Sequence, residues 1–375
     1  MFKRLYFINT TYSIFSFKLG MFEIKMRKLL AAIIILTSLK SNAQIGGSTI
    51  YNFLNLHSNA RINALGGYAI ATPENDVNLG LQNPALLKLE MHNQATFNYM
   101  RYVDDIATGY AGYAYSLDSI NTISGGIQYI TYGAFDGTNE QSQETGTFTA
   151  AEYNIHLSYA RKISSKVSIG GTLKFINSNL DIYKSTGLAI DLGVNYFNPK
   201  KLVSLSAVAS NAGIQLNTYS DGNREQLPFN LMMGFSKKFL HNPLRISIVA
   251  HNLQNPGTLL YQNANRPGQN RDLESGQVIL DKITIVDKIA AHLNVSAEIL
   301  LGKFMYLGFG YNHLRRYEMK LNTSSKLAGF GWGLGIKLKK IQVAYGSSSY
   351  HAAYATNTVS FVIFINEFTK NKSKD

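Results

Sequence analysis

Cysteine is absent from the 375 residues. That excludes a disulfide scaffold, thiol chemistry, cysteine-based zinc sites and the lipid-modified cysteine of a bacterial lipoprotein. Proline is scarce, at 7, so long strands run without the breaks that it imposes. No run of five or more like charges occurs, which speaks against a tail that binds nucleic acid. Catalytic signatures are missing too: there is no HExxH, no GxSxG, no P-loop and no GxGxxG opening a helix. The eight histidines are scattered. No enzyme, metal site or cofactor is expected.

What is abundant is tyrosine (23), phenylalanine (20) and glycine (31), a mixture suited to many strands with aromatic anchors. A secretory signal is readable in "MRKLLAAIIILTSLKSNAQ". Arg27 and Lys28 form its charged region, Leu29 to Leu36 its apolar run, and Ser41 and Ala43 its small-residue cleavage pattern. The run is too short for a membrane helix, which needs ~20 apolar residues. Residues 26–43 therefore read as a signal peptide, residues 1–25 as an upstream region outside the native start, and Gln44 as the first mature residue. Without residues 1–43 the balance is 29 basic and 22 acidic residues, a net charge of +7.

From residue 95 the chain reads as segments of roughly ten residues with dyad alternation, the weak signature of transmembrane β-strands, and some of them are clean. Tyr153, Ile155, Leu157 and Tyr159 alternate with Asn154, His156 and Ser158. Leu188, Ile190, Leu192, Val194 and Tyr196 alternate with Ala189, Asp191, Gly193 and Asn195. Alternation alone leaves a water-soluble barrel open, because only its apolar face changes sides. Fourteen such segments are expected, near 95–103, 107–115, 121–132, 152–161, 165–178, 186–197, 201–212, 229–239, 243–253, 286–300, 304–314, 328–338, 341–349 and 357–367.

The links between them favour the membrane. Tight turns such as "KISS", "NPKK", "LHNP", "LGK" and "KK" alternate with long polar stretches at 133–150, 213–227 and 254–282. Outer-membrane barrels have this asymmetry, with short periplasmic turns and long outer loops. Arg161, Lys162, Lys166, Lys200, Lys201, Lys237, Lys238, Lys303, Lys339 and Lys340 cluster at the tight turns. They read either as solvated turn charge or as a ring that attracts anionic lipid headgroups.

In "GFGWGLGIK" every second residue is glycine: Gly329, Gly331, Gly333 and Gly335. Successive residues of a strand point to opposite faces, so one face of this strand is bare. A bare face makes room for another backbone, or it bends the strand so that the barrel can close. Residues 44–94 read as turns and short helical pieces and need a place. Folded into the lumen as a plug, they would rest on these glycines.

"ALGG" at Ala64–Gly67 and "NPALL" at Asn83–Leu87 resemble the N-terminal hatch of FadL-like outer-membrane barrels. "GGSTIYNFLNLHSNARINALGG", "DVNLGLQNPALL", "GIQYITYGAFDGTNE" and "LPFNLMMGFSKKF" narrow the resemblance to the PorV/PorQ family of type IX secretion. His57 departs from the proline expected before "SNAR". The resemblance implies an all-β, fourteen-stranded transmembrane antiparallel barrel over residues 95–368, a hatch over 44–94 and a polar tail over 369–375. Asn83, Pro84 and Ala85 are its hatch motif. It also implies a non-enzymatic outer-membrane anchor of a secretion attachment complex in a Gram-negative bacterium. Its partners would be a surface-exposed protein of that complex, outer-membrane lipids and lipopolysaccharide.

Within the segment 254–282, Leu259, Leu260 and Tyr261 offer an apolar anchor, with Arg266, Arg271, Asp272 and Glu274 around it. This mixture suits a partner-binding patch with a charged rim; the alternative is a solvated loop. His156 and Asp191 face the lumen, as hydrogen-bonded wall residues or, for Asp191, as a partner for a hatch amide or the lining of a path. A FadL-like channel for hydrophobic solutes is the rival function, and it needs an apolar lumen. The mass of the chain purified from membranes should correspond to a start at Gln44; retention of residues 26–43 would contradict the signal reading.

Overall fold

The computed structural model describes residues 49–139, 141–220, 224–256, 259–260, 283–319, 327–350 and 355–369. Its strands are β1 (Gln94–Val103), β2 (Ile106–Ser116), β3 (Asn121–Thr138), β4 (Glu144–Lys162), β5 (Val167–Leu180), β6 (Tyr183–Asn198) and β7 (Val203–Asn217). They continue as β8 (Asn230–Lys238), β9 (Leu244–Ala250), β10 (Leu293–Leu301), β11 (Met305–Asn312), β12 (Phe330–Lys337), β13 (Ile341–Ser348) and β14 (Thr356–Phe364). Each pairs antiparallel with its sequence neighbours, and β1 pairs with β14 from Gln94↔Phe364 to Arg101↔Asn357, closing the barrel. All fourteen expected segments are strands.

Burial decides which solvent the outer face meets. Along β4 the polar phase is inside, with Asn154, His156 and Ser158 buried, while Ile155, Leu157 and Tyr159 stand outside, Leu157 61% exposed. Phe97, Tyr99, Leu173, Leu192 and Trp332 extend this exposed band. A soluble barrel has the opposite arrangement. No helix among the described residues is long and apolar enough to cross a membrane. The barrel is therefore transmembrane, its backbone groups satisfied between strands as a bilayer requires.

Several boundaries differ from those expected. β3 and β4 rise well past 132 and 152, because pairing resumes after an irregularity between Thr131 and Ala134 where Gly133 takes φ 85°. The Phe135 and Phe148 rings then stack across the hairpin at 5.3 Å. β10 starts at Leu293, not near 286, because Ile285–Ala291 is a helix (α2, after α1 described below). Thr284 and Asp287 form a reciprocal capping box there, and local capping decides for helix where Ile285, Val286 and Ile289 alone would also suit strand. His313–Met319 (α3) continues β11 as a second outer helix, in place of strand, and Asn366–Thr369 (α4) ends the described chain.

Arginine in place of Leu157 should lower barrel stability by up to about 2–4 kcal/mol, depending on depth in the bilayer. Urea unfolding in lipid vesicles measures this, and unchanged stability would contradict a lipid-facing position.

Candidate functional site

Residues 49–93 run through the barrel from end to end. Thr49 bridges Gln226 in the β7–β8 loop, and the Ile50 amide donates to the Gln226 carbonyl at 3.0 Å, which places the start of the segment at the outer mouth. Ile50, Tyr51, Phe53 and Leu54 then pack with Ile130, Ile176, Ala189 and Leu227 in the outer half of the lumen. Next comes a short helix, Ala60–Ala64 (α1), whose N-cap Asn59 accepts from the Ile62 amide. It ends at "ALGG", where Gly66 and Gly67 take φ 83° and 98° and Gly67 donates to the Ile62 carbonyl at 2.9 Å. A left-handed helix stop of this kind favours glycine. The segment reaches the periplasmic end through single turns at Val77–Leu81, Pro84–Leu86 and Leu89–Met91.

The Asn83–Pro84–Ala85 motif has a local cause and a tertiary one. Asn83 caps its turn by accepting from the Ala85 amide, and Pro84 supplies a preset φ at the first position. The Asn83 amide donates to the Ile70 carbonyl at 2.8 Å, and Ser168 Oγ donates to the Ala85 carbonyl at 2.6 Å. A Cβ at Gly193 would lie 2.2 Å from Asn83 Oδ1, and one at Gly170 would lie 2.5 Å from the Pro84 carbonyl carbon. The wall is bare where the turn touches it.

The glycines of β12 divide into separate roles. Gly331, Gly333 and Gly335 face inward and are buried. A Cβ at Gly331 would lie 2.5 Å from the Asn63 carbonyl oxygen, and one at Gly333 2.7 Å from Ala64 Cβ and 2.5 Å from the Tyr345 carbonyl oxygen. Gly310 of β11 and Gly346 of β13 make similar approaches to Leu65 and Ala60. At Gly335, by contrast, the nearest atoms are those of the Tyr306 ring, so this glycine makes room for a wall side chain. Gly329 precedes the strand with φ 82° against Asn312 and Arg316, where it serves a turn. The α1 seat is thus a patch across β11–β13, narrower along β12 and wider around it than the sequence pattern implies.

Polar groups join plug and wall. Ser360 Oγ accepts from the Ala60 amide at 2.8 Å, and Asn63 donates to Thr358 Oγ1 at 2.8 Å. Asn78 Oδ1 accepts from Thr96 Oγ1 at 2.9 Å and from Asn98 Nδ2 at 2.7 Å. Below them lies a four-charge cluster. Arg61 pairs with Glu298 at 2.7 Å, Arg245 pairs with Glu298 at 3.0 Å, and Arg245 also pairs with Glu74. Arg245 and Glu298 are register partners on β9 and β10, so plug and wall each contribute one cation and one anion.

Asp191 belongs to the wall: it pairs with Lys174 at 2.6 Å and accepts from the Asn211 amide at 2.8 Å, where β7 is irregular. His156 stacks on Tyr110 with ring centroids 5.5 Å apart. The cavities beside these groups measure about 20 and 30 Å³ and share Leu54, His57, Leu81 and Lys174 in their linings. Each has room for about one or two waters.

At the outer end, Leu259 is half-buried and Leu260 is buried, so neither side chain of this pair stands fully open. Tyr261, Arg266, Arg271, Asp272 and Glu274 lie outside the described residues, as do residues 1–48 and the tail from 370. Ile285, Val286 and Ile289 form an exposed apolar face on α2. Asp287, on the same helix, titrates below its ordinary value because Thr284 donates to it. At the periplasmic end, Arg161, Lys162, Lys166, Lys200, Lys201, Lys303 and Lys339 are exposed.

Sequence reading missed Arg61, Glu74, Arg245 and Glu298. Glu298 did carry a signal: it shares the inward phase of β10 with Asn294 and Ser296, where a charge needs a partner inside.

A closed antiparallel barrel with an apolar outer band and an internal plug defines the class: an outer-membrane β-barrel protein, as found in Gram-negative bacteria. Within that class the chain belongs to the family described as type IX secretion system protein PorV, whose model matches residues 40–254. No curated protein matches the sequence. Among solved structures, the chain is similar to the CymD monoaromatic hydrocarbon channel, with 12% identity, 82% of this chain and 98% of that one covered, and a TM-score of 0.47. The Pseudomonas putida toluene transporter TodX gives 9%, 81% and 97%, and 0.48. A Pseudomonas aeruginosa FadL homologue gives 9%, 82% and 98%, and 0.46. Likeness at this level carries no argument about activity.

Gly331 is the cleanest test of the seat, because its two nearest contacts are both to the plug. Gly331→Leu should overpack the seat by about 1–3 kcal/mol and make residues 60–90 more open to protease while the barrel stays folded. Unchanged protection would assign the glycines to strand curvature.

Proposed function

We propose that the chain is a PorQ-like, non-enzymatic anchor of a type IX secretion attachment complex, holding a surface-exposed partner protein through its outer loops. The observation that carries this reading is the filled lumen. Residues 49–93 occupy it from the outer mouth to the periplasmic end and are fixed there by a neutral four-charge cluster. A barrel stoppered in this way serves as a rigid platform whose variable parts are its loops. The motifs "GIQYITYGAFDGTNE" and "LPFNLMMGFSKKF" support the PorQ-like assignment within the family.

The segment 254–282 is the main docking element in this reading, with Leu259, Leu260 and Tyr261 as its apolar centre and Arg266 and Arg271 on its rim. Lys200, Lys201 and Lys339 of the periplasmic turns lie against anionic headgroups, and lipopolysaccharide borders the outer rim. The rival reading, a FadL-like channel for hydrophobic solutes, needs an apolar path. His57, Asn154, His156, Lys174 and Asp191 line the small lumen cavities described above, and they disfavour it.

Deleting residues 258–276 should leave a folded, heat-modifiable barrel, because strand pairing does not depend on that loop, and should abolish co-purification of the surface partner from native membranes. Retention of the partner would remove this loop as the main docking site. Uptake of lipophilic solutes by the purified intact protein would favour the channel.

A further inference from the structure

The periplasmic mouth holds a cavity of about 250 Å³ that neither the anchor role nor the plug explains. It lies between the plug residues Ala85–Glu90 and the β2–β3 and β4–β5 turns. Leu87, Leu89, Val167 and Phe197 give it apolar lining, and Lys88, Lys162 and Lys166 ring it against a single carboxylate, Glu90. Lys162, Lys166 and Leu89 are exposed. Thr122, Ser168 and Asn195, which also line it, sit on the lumen-facing phase of β3, β5 and β6. The cavity therefore opens inside the strand wall toward the periplasm, and the barrel itself separates it from lipid.

We propose that this cavity is a docking pocket for an acidic peptide segment of a periplasmic partner, one apolar side chain entering between Leu87 and Phe197 while flanking carboxylates meet the lysines. Charge complementarity sets the sign of the occupant. The volume is close to the lower end of ligand pockets and takes a leucine or phenylalanine side chain with adjoining backbone. The hydroxyls of Ser119 and Ser165 and the Asn195 side-chain amide nitrogen suit a peptide backbone and not an alkyl chain. The pocket thus gives the barrel a second recognition surface, facing away from the outer loops.

The test uses the purified full chain in phosphatidylcholine nanodiscs and a fluorescein-labelled hexapeptide, Asp-Glu-Leu-Phe-Glu-Asp, with Lys-Arg-Leu-Phe-Arg-Lys as its charge-reversed control. Fluorescence anisotropy should show saturable binding of the acidic peptide only, weakening with salt. Lys162→Glu with Lys166→Glu, exposed at the end of β4 and in the turn after it, should keep the heat-modifiable barrel and lower the affinity by about tenfold or more. Lys303→Glu with Lys339→Glu, at other turns of the same rim, should leave it unchanged. Absence of saturable binding, equal loss in both double variants, or displacement of the peptide by octanoate would overturn the proposal. The first would leave no peptide site, the second only general charge attraction, and the third an amphiphile pocket.

Discussion

A bilayer offers no hydrogen-bond partners, so a sheet that crosses it must satisfy every backbone group internally and must close. The rest of this structure follows from that. Closure between β1 and β14 leaves no open edge in the ring, and the lipid claims the apolar side chains for the outside. Asn, Ser, Thr, His and charged residues are thereby driven inward, where a narrow lumen strips them of water. Buried polar groups are expensive unless paired. The lumen of this barrel therefore needs an occupant of matching polarity, and residues 49–93 supply one.

The match is reciprocal in chemistry as well as in shape. Where the plug brings backbone close, at Asn63 to Gly66 and at Asn83 to Ala85, the wall presents glycine. Where the wall buries an arginine and a glutamate on adjacent strands, the plug brings a glutamate and an arginine. Removing one partner of such a set leaves an uncompensated buried charge, a loss of about 3–5 kcal/mol. That stake makes the plug part of the folded barrel and not a loose lid. A plugged barrel of this kind suits the proposed anchor role, in which the work lies in holding neighbours and not in passing solutes.

Much of this was legible in the sequence, because strand period and turn length are local properties. The alternation around His156 and Asp191 gave the inward phase, and the tight lysine-bearing turns gave the periplasmic end. "GFGWGLGIK" announced a bare inner face. The sequence did not show which of its glycines meets the plug, since Gly335 is reserved for Tyr306, a side chain from a neighbouring strand. The Arg61–Glu298 pair joins residues far apart in the chain and had no local trace beyond a charge on the inward phase of β10. The outer helix at Ile285–Ala291 was hidden because its five apolar residues among seven fit either state, and only the Thr284–Asp287 cap decides it.

Planar-bilayer recording of the purified full chain tests most directly whether the N-terminal segment seals the lumen. The sealed barrel predicts no steady ionic current beyond that of the lipid alone across a range of applied voltages. A stable, stepwise conductance from the intact protein would contradict it, because it would mean that residues 49–93 leave a continuous water-filled path through the barrel.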